Sequence, residues 1–247
     1  MQRFIPITLY GLIILAGSMA FVSIAGVRVG LLEPVVGFIL IKKTVLAAIF
    51  LFFFSIFAYW KCQEACNKEK RCFIAACILF SGLYSGAWLS FYVPKMNLPL
   101  INDITTDTKT PPAFITMSSF RHAGDNEISY SKEFAAIQEK AYPQVQPVIT
   151  DESSSLVFRK VVDLVRQQGW QVVSLYPTAG VIEATATTPV FWFMDDVVVR
   201  VRSVDGKTRV DMRSCSRIGN HDFGKNAHRI EDFMSELSLS LENLNES

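Results

Sequence analysis

The sequence predicts an α+β protein: an N-terminal bundle of three transmembrane helices, then an antiparallel sheet of about four strands flanked by two helices. Two observations carry this prediction. Three long apolar runs crowd about the first hundred of the 247 residues. Beyond them, two runs with helical periodicity bracket several β-rich runs that are separated by turn residues.

The apolar runs predict membrane-spanning helices at residues 5–27, 44–60 and 72–93. Each carries few or no charges and has about the length that a hydrocarbon core of ~30 Å requires. The first run is too long for the core of a signal peptide, so we expect it to stay in the protein. Residues 28–43 are apolar but broken by Glu33 and Pro34. They fit an interfacial or re-entrant piece, or an N-terminal extension of the second span.

The loop between the second and third spans is basic, and the positive-inside rule places such a loop in the cytoplasm. Its cations are Lys61, Lys68, Lys70 and Arg71. We therefore expect a cytoplasmic N-terminus and an exported chain after Val93. Lys42 and Lys43 lie on the expected outer side and argue in the opposite direction.

Composition gives little reason to expect bound metals, cofactors or nucleic acid. Four of the five cysteines, at positions 62, 66, 72 and 77, lie in or beside the basic loop, where thiols stay reduced. No CxxC pair or nearby histidine completes a zinc site, and HExxH and GxSxG motifs are absent. The net charge of +1 is nearly balanced, which does not favour a nucleic-acid partner.

The exported part divides into an arm and a head. Residues 94–150 are polar and rich in proline, which predicts an extended arm with one helix at 131–142. The head, 151–247, begins with a helix at 151–168 and ends with one at about 227–244. Between the helices we predict four strands, at residues 170–176, 181–187, 191–204 and 207–216.

Asp205 and Gly206 predict a two-residue hairpin turn, which fixes the register of the two longest strands. Residue numbers of paired positions then sum to 411, so that Arg200 lies opposite Asp211. Alternation places apolar side chains on one face and charged ones on the other. The charged face carries Asp196, Arg200, Arg202, Asp211, Arg213 and Arg217.

Three interpretations of this face are open. The first is a solvated surface of cross-strand ion pairs. The second is an internal clasp for the arm through Asp103 and Asp107, and the third is an anion-binding groove. The groove is suggested because Arg213 and Arg217 precede a turn and a helix N-terminus, whose free N–H groups attract anions. Asp222 could fill that place by capping the helix itself. The candidate ligand-binding residues are Arg200, Arg213, Arg217, Asp196, Asp222, Asn226 and Arg229.

Several ordered motifs resemble the family called domain of unknown function 1499, over about Leu98 to the C-terminus. They are NDITTDTKTPP, the pairs Tyr142-Pro143 and Gly169-Trp170, GVIEATATTPVFWFMDDVVVRV, and VDMRSCSRIGNHDFGKNAHRI. The resemblance implies a membrane-attached bacterial protein and supports the fold and the polar face. Together with the charges of the loops, this leads us to expect an inner-membrane protein with a periplasmic head. It implies no reaction.

We therefore expect a binding or envelope-associated structural module rather than an enzyme. Its partners would be the lipid bilayer and an envelope protein, an anionic small molecule or a lipid headgroup. The alternative is a hydrolase or transferase at the membrane surface that uses Asp195, Asp196 or Asp222 as acid or base. That alternative requires a concave pocket holding a carboxyl group with a shifted pKa.

Overall fold

A computed structural model describes residues 4–62 and 66–245, so the last two residues of the predicted head lie outside it. By its internal contacts the chain divides into two compact units. Residues up to Asn97 form the first, together with Pro189–Trp192. Leu98–Thr188 and the chain from Phe193 onward form the second.

The first unit consists of three long helices, as the sequence predicts. They are α1 (Phe4–Arg28), α2 (Pro34–Lys61) and α3 (Lys68–Tyr92). All three are long and apolar enough to span a bilayer, with mean hydropathies of 2.1, 2.3 and 1.8. These helices indicate a membrane protein.

The ambiguous residues before the second predicted span belong to α2. The helix begins at Pro34, because proline has the backbone angle of a first helical turn and lacks an N–H that would be unpaired there. Residues 34–43 are therefore its first turns, and α2 starts ten residues before the predicted span.

The second unit is the predicted α+β fold, with six strands instead of about four. Its strands are β1 (Asp103–Thr105), β2 (Val148–Thr150), β3 (Gln171–Tyr176), β4 (Val181–Thr187), β5 (Met194–Val204) and β6 (Lys207–Ser216). The sheet is antiparallel, in the order β1-β6-β5-β4-β3, and β2 pairs with another part of β6.

The two additional strands come from residues 94–150, so this segment is not a separate arm. Strand β1 pairs with positions 213–215 of β6, and β2 pairs with positions 208–210. Each has only three residues, which is too short for alternation to be visible in the sequence. The long edge of β6 has room for both.

The β5–β6 hairpin has the predicted register. Val204 pairs with Lys207, and the pairing continues to Asp195 and Ser216. The turn residues Asp205 and Gly206 have φ of 51° and 80°, as a type I′ turn requires.

Helices cover the apolar face of the sheet. They are α5 (Ser154–Gln167) and α6 (Lys225–Asn245), and a third helix, α4 (Lys132–Ala141), lies in the segment before them. Val157 and Val161 of α5 and Phe233 and Leu237 of α6 are fully or almost fully buried in one core with the inward residues of β4, β5 and β6. The opposite, charged face is where the candidate residues lie.

Candidate functional site

The charged face of the sheet is covered by residues 107–130, which we call the cover segment. Its backbone accepts hydrogen bonds from Arg213 of β6 and from Arg217, the residue after β6, at the carbonyls of Pro112, Phe120 and Ile128. Charged side chains in the middle of this face are therefore removed from water. Buried charges are costly unless they are paired, so each pairing has a structural consequence.

Arg213 of β6 forms a buried, two-pronged ion pair with Asp103 of β1. Its Nε lies 2.9 Å from Asp103 Oδ1 and its Nη2 lies 2.6 Å from Oδ2. Both side chains are only 3% exposed. The guanidinium also packs over the rings of Phe114 and Tyr130. Arg213 thus ties β1 and the cover segment to the centre of the sheet.

Asp196 of β5 is the second buried centre and pairs with two arginines. Arg217 donates from Nε and Nη2 to Asp196 Oδ1 at 2.9 and 2.8 Å. Arg121 of the cover segment donates from Nε to Oδ2 at 2.9 Å. The other donors of Arg121 reach the Asn126 carbonyl and Cys215 Sγ. We call these contacts, with the Arg213–Asp103 pair, the inner clasp.

Glu183 of β4 completes the inner clasp without a cation. Its fully buried carboxylate accepts hydrogen bonds from the backbone N–H groups of Ile115, Thr116 and Met117, and from the Ser174 hydroxyl. Three successive N–H groups directed at one carboxylate hold the cover segment where its short 3-10 helix, Met117–Phe120, begins.

Asp195, Asn226 and Arg229 form a separate cluster on the other face of the sheet. Asp195 follows the strand alternation and points away from Asp196. Its carboxylate accepts bonds from Arg229 Nη2 and Ser216 Oγ, both at 2.6 Å. Asn226 Oδ1 accepts a further bond from Arg229 Nη1. This cluster joins α6 to the ends of β5 and β6.

Asp222 belongs to the same helix-covered side and closes the turn before α6. Its carboxylate accepts hydrogen bonds from the backbone N–H of Gly224 at 2.9 Å and of Asn226 at 2.7 Å. Burial raises its pKa above the ordinary value, although these two hydrogen bonds act in the opposite direction. Asp222 thus occupies N–H groups that an external anion would need.

The structure therefore does not bring the seven predicted ligand-binding residues into one groove. Four of them, Asp196, Arg200, Arg213 and Arg217, lie on the charged face. The other three, Asp222, Asn226 and Arg229, lie on the helix-covered face. The two sets are close in sequence but lie on opposite faces, because the turn after β6 carries the chain from the sheet to the helical layer.

Arg200 belongs to a third cluster on the charged face, nearer the hairpin turn, which we call the outer arginine cluster. It contains Arg200, Arg202 and Arg209 with Asp107 and Asp211. Asp211 is fully buried and contacts all three arginines at 3.0–3.2 Å. Asp107, of the cover segment, lies 3.1–3.6 Å from the same three guanidiniums.

This cluster is open to solvent, unlike the inner clasp. The side chains of Arg200, Arg202 and Arg209 are 20%, 37% and 26% exposed. Three cations share two carboxylates, so one positive charge is left over. Among the described residues, the outer arginine cluster is the group of site arginines that carries surplus positive charge at the surface.

Cys215 lies on the charged face as a buried thiol. Burial raises the pKa of Cys215 to about 12, so this thiol is protonated at neutral pH. An open groove of about 360 Å³ lies between α6 and residues 144–148, and none of the candidate residues lines it. Within residues 4–62 and 66–245, no three potential metal ligands converge.

Three residues of these clusters, Arg121, Arg209 and Glu183, are not among the seven candidate ligand-binding residues. Arg121 lies in a segment without periodicity, so nothing in the sequence places it beside Asp196. Arg209 was left out although alternation puts it on the same face as Asp211. Glu183 had a visible signal: it is a lone charge in the β-run VIEATAT.

Comparison with known proteins agrees with the resemblance of the motifs. A search among curated proteins found no match to the chain. Residues 103–237, more than half of the chain, match the family described as Protein of unknown function (DUF1499). The matched region begins at the first residue of β1 and ends within α6, so it contains the sheet, the cover segment and all three polar clusters. The chain belongs to the DUF1499 family.

Proposed function

We propose that this protein is a membrane-anchored, non-enzymatic binding module whose head recognises an anionic group on an envelope partner or a small ligand. The observation that carries the proposal is the outer arginine cluster. It combines surplus positive charge with partial exposure, which is the electrostatic character of an anion-binding surface. The inner clasp supports the proposal in another way, because it joins the cover segment, which carries Asp107, to the sheet.

The state of the carboxylates favours binding over catalysis. A general acid or base must be free to exchange a proton with a substrate. Asp196 is held by two arginines, Asp195 by Arg229 and Ser216, and Asp222 by backbone N–H groups. None of these three carboxylates has the freedom that the hydrolase or transferase alternative requires.

We place the head in the periplasm and the anchor in a bacterial inner membrane. The support is the basic connection between α2 and α3, which the positive-inside rule assigns to the cytoplasm. One further span then brings the chain to the outer side. A C-terminal epitope tag should be accessible to antibody on intact spheroplasts, and an N-terminal tag only after permeabilisation. The reverse pattern would contradict this placement.

Anion recognition is tested by thermal unfolding of the full chain in a neutral detergent. A panel of phosphate, sulfate and carboxylate compounds is compared at constant ionic strength. A ligand that binds only the folded state stabilises it by about 2.7 kcal/mol at one hundred times its Kd. We expect at least one anion to raise the unfolding temperature at millimolar concentration or below. A panel without any shift would contradict anion binding.

A further inference from the structure

The outer arginine cluster has unused hydrogen-bond donors. Among the described residues, Arg200 and Arg202 make their ion pairs and hydrogen bonds through Nη2, and Arg209 makes its own through Nε and Nη2. None of the three Nη1 groups has a hydrogen-bond partner within residues 4–62 and 66–245. The Nε groups of Arg200 and Arg202 are buried and lack an acceptor in the same part of the chain. A buried donor without an acceptor costs free energy.

The two carboxylates of the cluster belong to different parts of the chain. Asp211 belongs to β6, is fully buried, and also accepts a hydrogen bond from Thr106. Asp107 instead lies on a surface turn, where Lys109 and Thr110 donate to it. A single oxygen, Asp107 Oδ2, faces all three guanidiniums. This side chain marks the position at which the arginines converge on an anionic oxygen.

The geometry and charge favour a phosphate group over a single carboxylate. A carboxylate, like that of Asp107, offers two oxygens in one plane. A phosphate group offers three or more oxygens in a tetrahedral arrangement and up to two negative charges, which suits three separate guanidiniums with free Nη1 groups. If Asp107 is displaced, the remaining surplus of two positive charges equals the charge of a phosphomonoester dianion.

Resting on the function proposed above, we propose that the outer arginine cluster is a phosphate-binding site. Arg200, Arg202 and Arg209 bind the phosphate oxygens, and Asp107 is the internal competitor that the phosphate group replaces. The group belongs either to a soluble phosphate compound or to a phospholipid headgroup. Ile149 pairs with Arg209 across the sheet and is 57% exposed, so an apolar side chain lies next to the site.

The test is a titration of the full chain in neutral detergent with inorganic phosphate, short-chain phosphatidic acid and acetate, read by thermal unfolding at constant ionic strength. Arg202→Gln removes one binding arginine. Arg159→Gln removes the same charge from an exposed position on α5, which lies against the other face of the sheet, and serves as the matched control. Asp107→Asn removes the competitor and keeps the shape of its side chain.

We expect Arg202→Gln to weaken phosphate binding about tenfold, which is the usual effect of losing a hydrogen bond to a charged group. Arg159→Gln should bind as the wild type does. Asp107→Asn should bind about threefold or more tightly, because a repelling charge is gone. This gain is decisive even if Arg202→Gln is too unstable to titrate. Tighter binding of phosphatidic acid than of inorganic phosphate identifies a lipid headgroup, and the opposite order identifies a soluble compound.

Other outcomes overturn the inference in distinguishable ways. Phosphate binding that neither Arg202→Gln nor Asp107→Asn changes places the site elsewhere, and the proposed anion-binding function survives. Acetate binding as tight as phosphate binding overturns the phosphate class. If no anion in the wider panel binds the wild-type protein, both the site and the proposed function fail.

Discussion

Replacing Arg213 by methionine should unfold the head at a much lower temperature. The substitution removes a guanidinium that is 3% exposed and leaves the buried Asp103 carboxylate without its two hydrogen bonds at 2.9 and 2.6 Å. It also removes the donors to the carbonyls of Pro112 and Ile128. Breaking a buried ion pair from one side costs about 3–5 kcal/mol. Arg121 also acts on Asp103 and offsets a little of this cost.

The assay is calorimetry of the full chain in neutral detergent. For a unit of about 150 residues, 1 kcal/mol corresponds to roughly 2–4 °C, so the transition of the head should fall by about 6–20 °C. The single variant is compared with the double variant Asp103→Leu with Arg213→Met. It removes both charges and leaves apolar groups in their place. Such replacements are often close to neutral, so the double variant should recover most of the loss.

Two results would refute this reasoning. A single variant that loses less than about 1 kcal/mol would show that the pair behaves like an exposed one. A double variant whose loss equals the sum of the two single losses would show that Asp103 and Arg213 are not energetically coupled.

Three other predictions follow from the polar clusters. Burial acts to raise the pKa of Asp107, but hydrogen bonds from Thr110 and the charge of Arg209 outweigh it and hold the pKa below 3.8. The stability that this lowered pKa gives is present above pH 3.8 and is lost as the pH falls through the folded-state pKa. Below about pH 4, the denaturant midpoint should therefore fall less in Asp107→Asn than in the wild type. Because its thiol is buried and protonated, Cys215 should be alkylated only after unfolding, as peptide mass spectrometry would detect, and modification in the native protein would contradict its burial. Glu183→Ala should speed amide hydrogen exchange at residues 115–117, and unchanged exchange would mean that the carboxylate does not hold the cover segment.

Parts of the fold could be predicted from the sequence wherever one strong physical constraint acts on many neighbouring residues. Helices must satisfy their own backbone groups in lipid, so the three apolar runs could be recognised from hydropathy alone. The Asp205-Gly206 turn fixed a register, and the alternation of ten residue pairs then followed, including Arg200 opposite Asp211. These predictions needed no knowledge of distant contacts.

The remaining features depend on contacts between residues far apart in sequence. Strands β1 and β2 exist because β6 offers them an edge, and three-residue strands carry no pattern of their own. The approach of Arg121 to Asp196 spans 75 positions. The separation of Arg213 and Arg217 from Asn226 and Arg229 could not be predicted from their closeness in sequence, because the turn after β6 leads to the opposite face of the sheet.

Hydrogen exchange with and without phosphate tests the central claim most directly, since it asks which cluster binds the anion. We expect added phosphate to slow amide exchange in the β5–β6 segment 200–209 and to leave residues 222–229 unchanged. Slower exchange confined to 222–229 would contradict this division between an outer binding cluster and internally satisfied clusters, because it would place the anion at the beginning of α6.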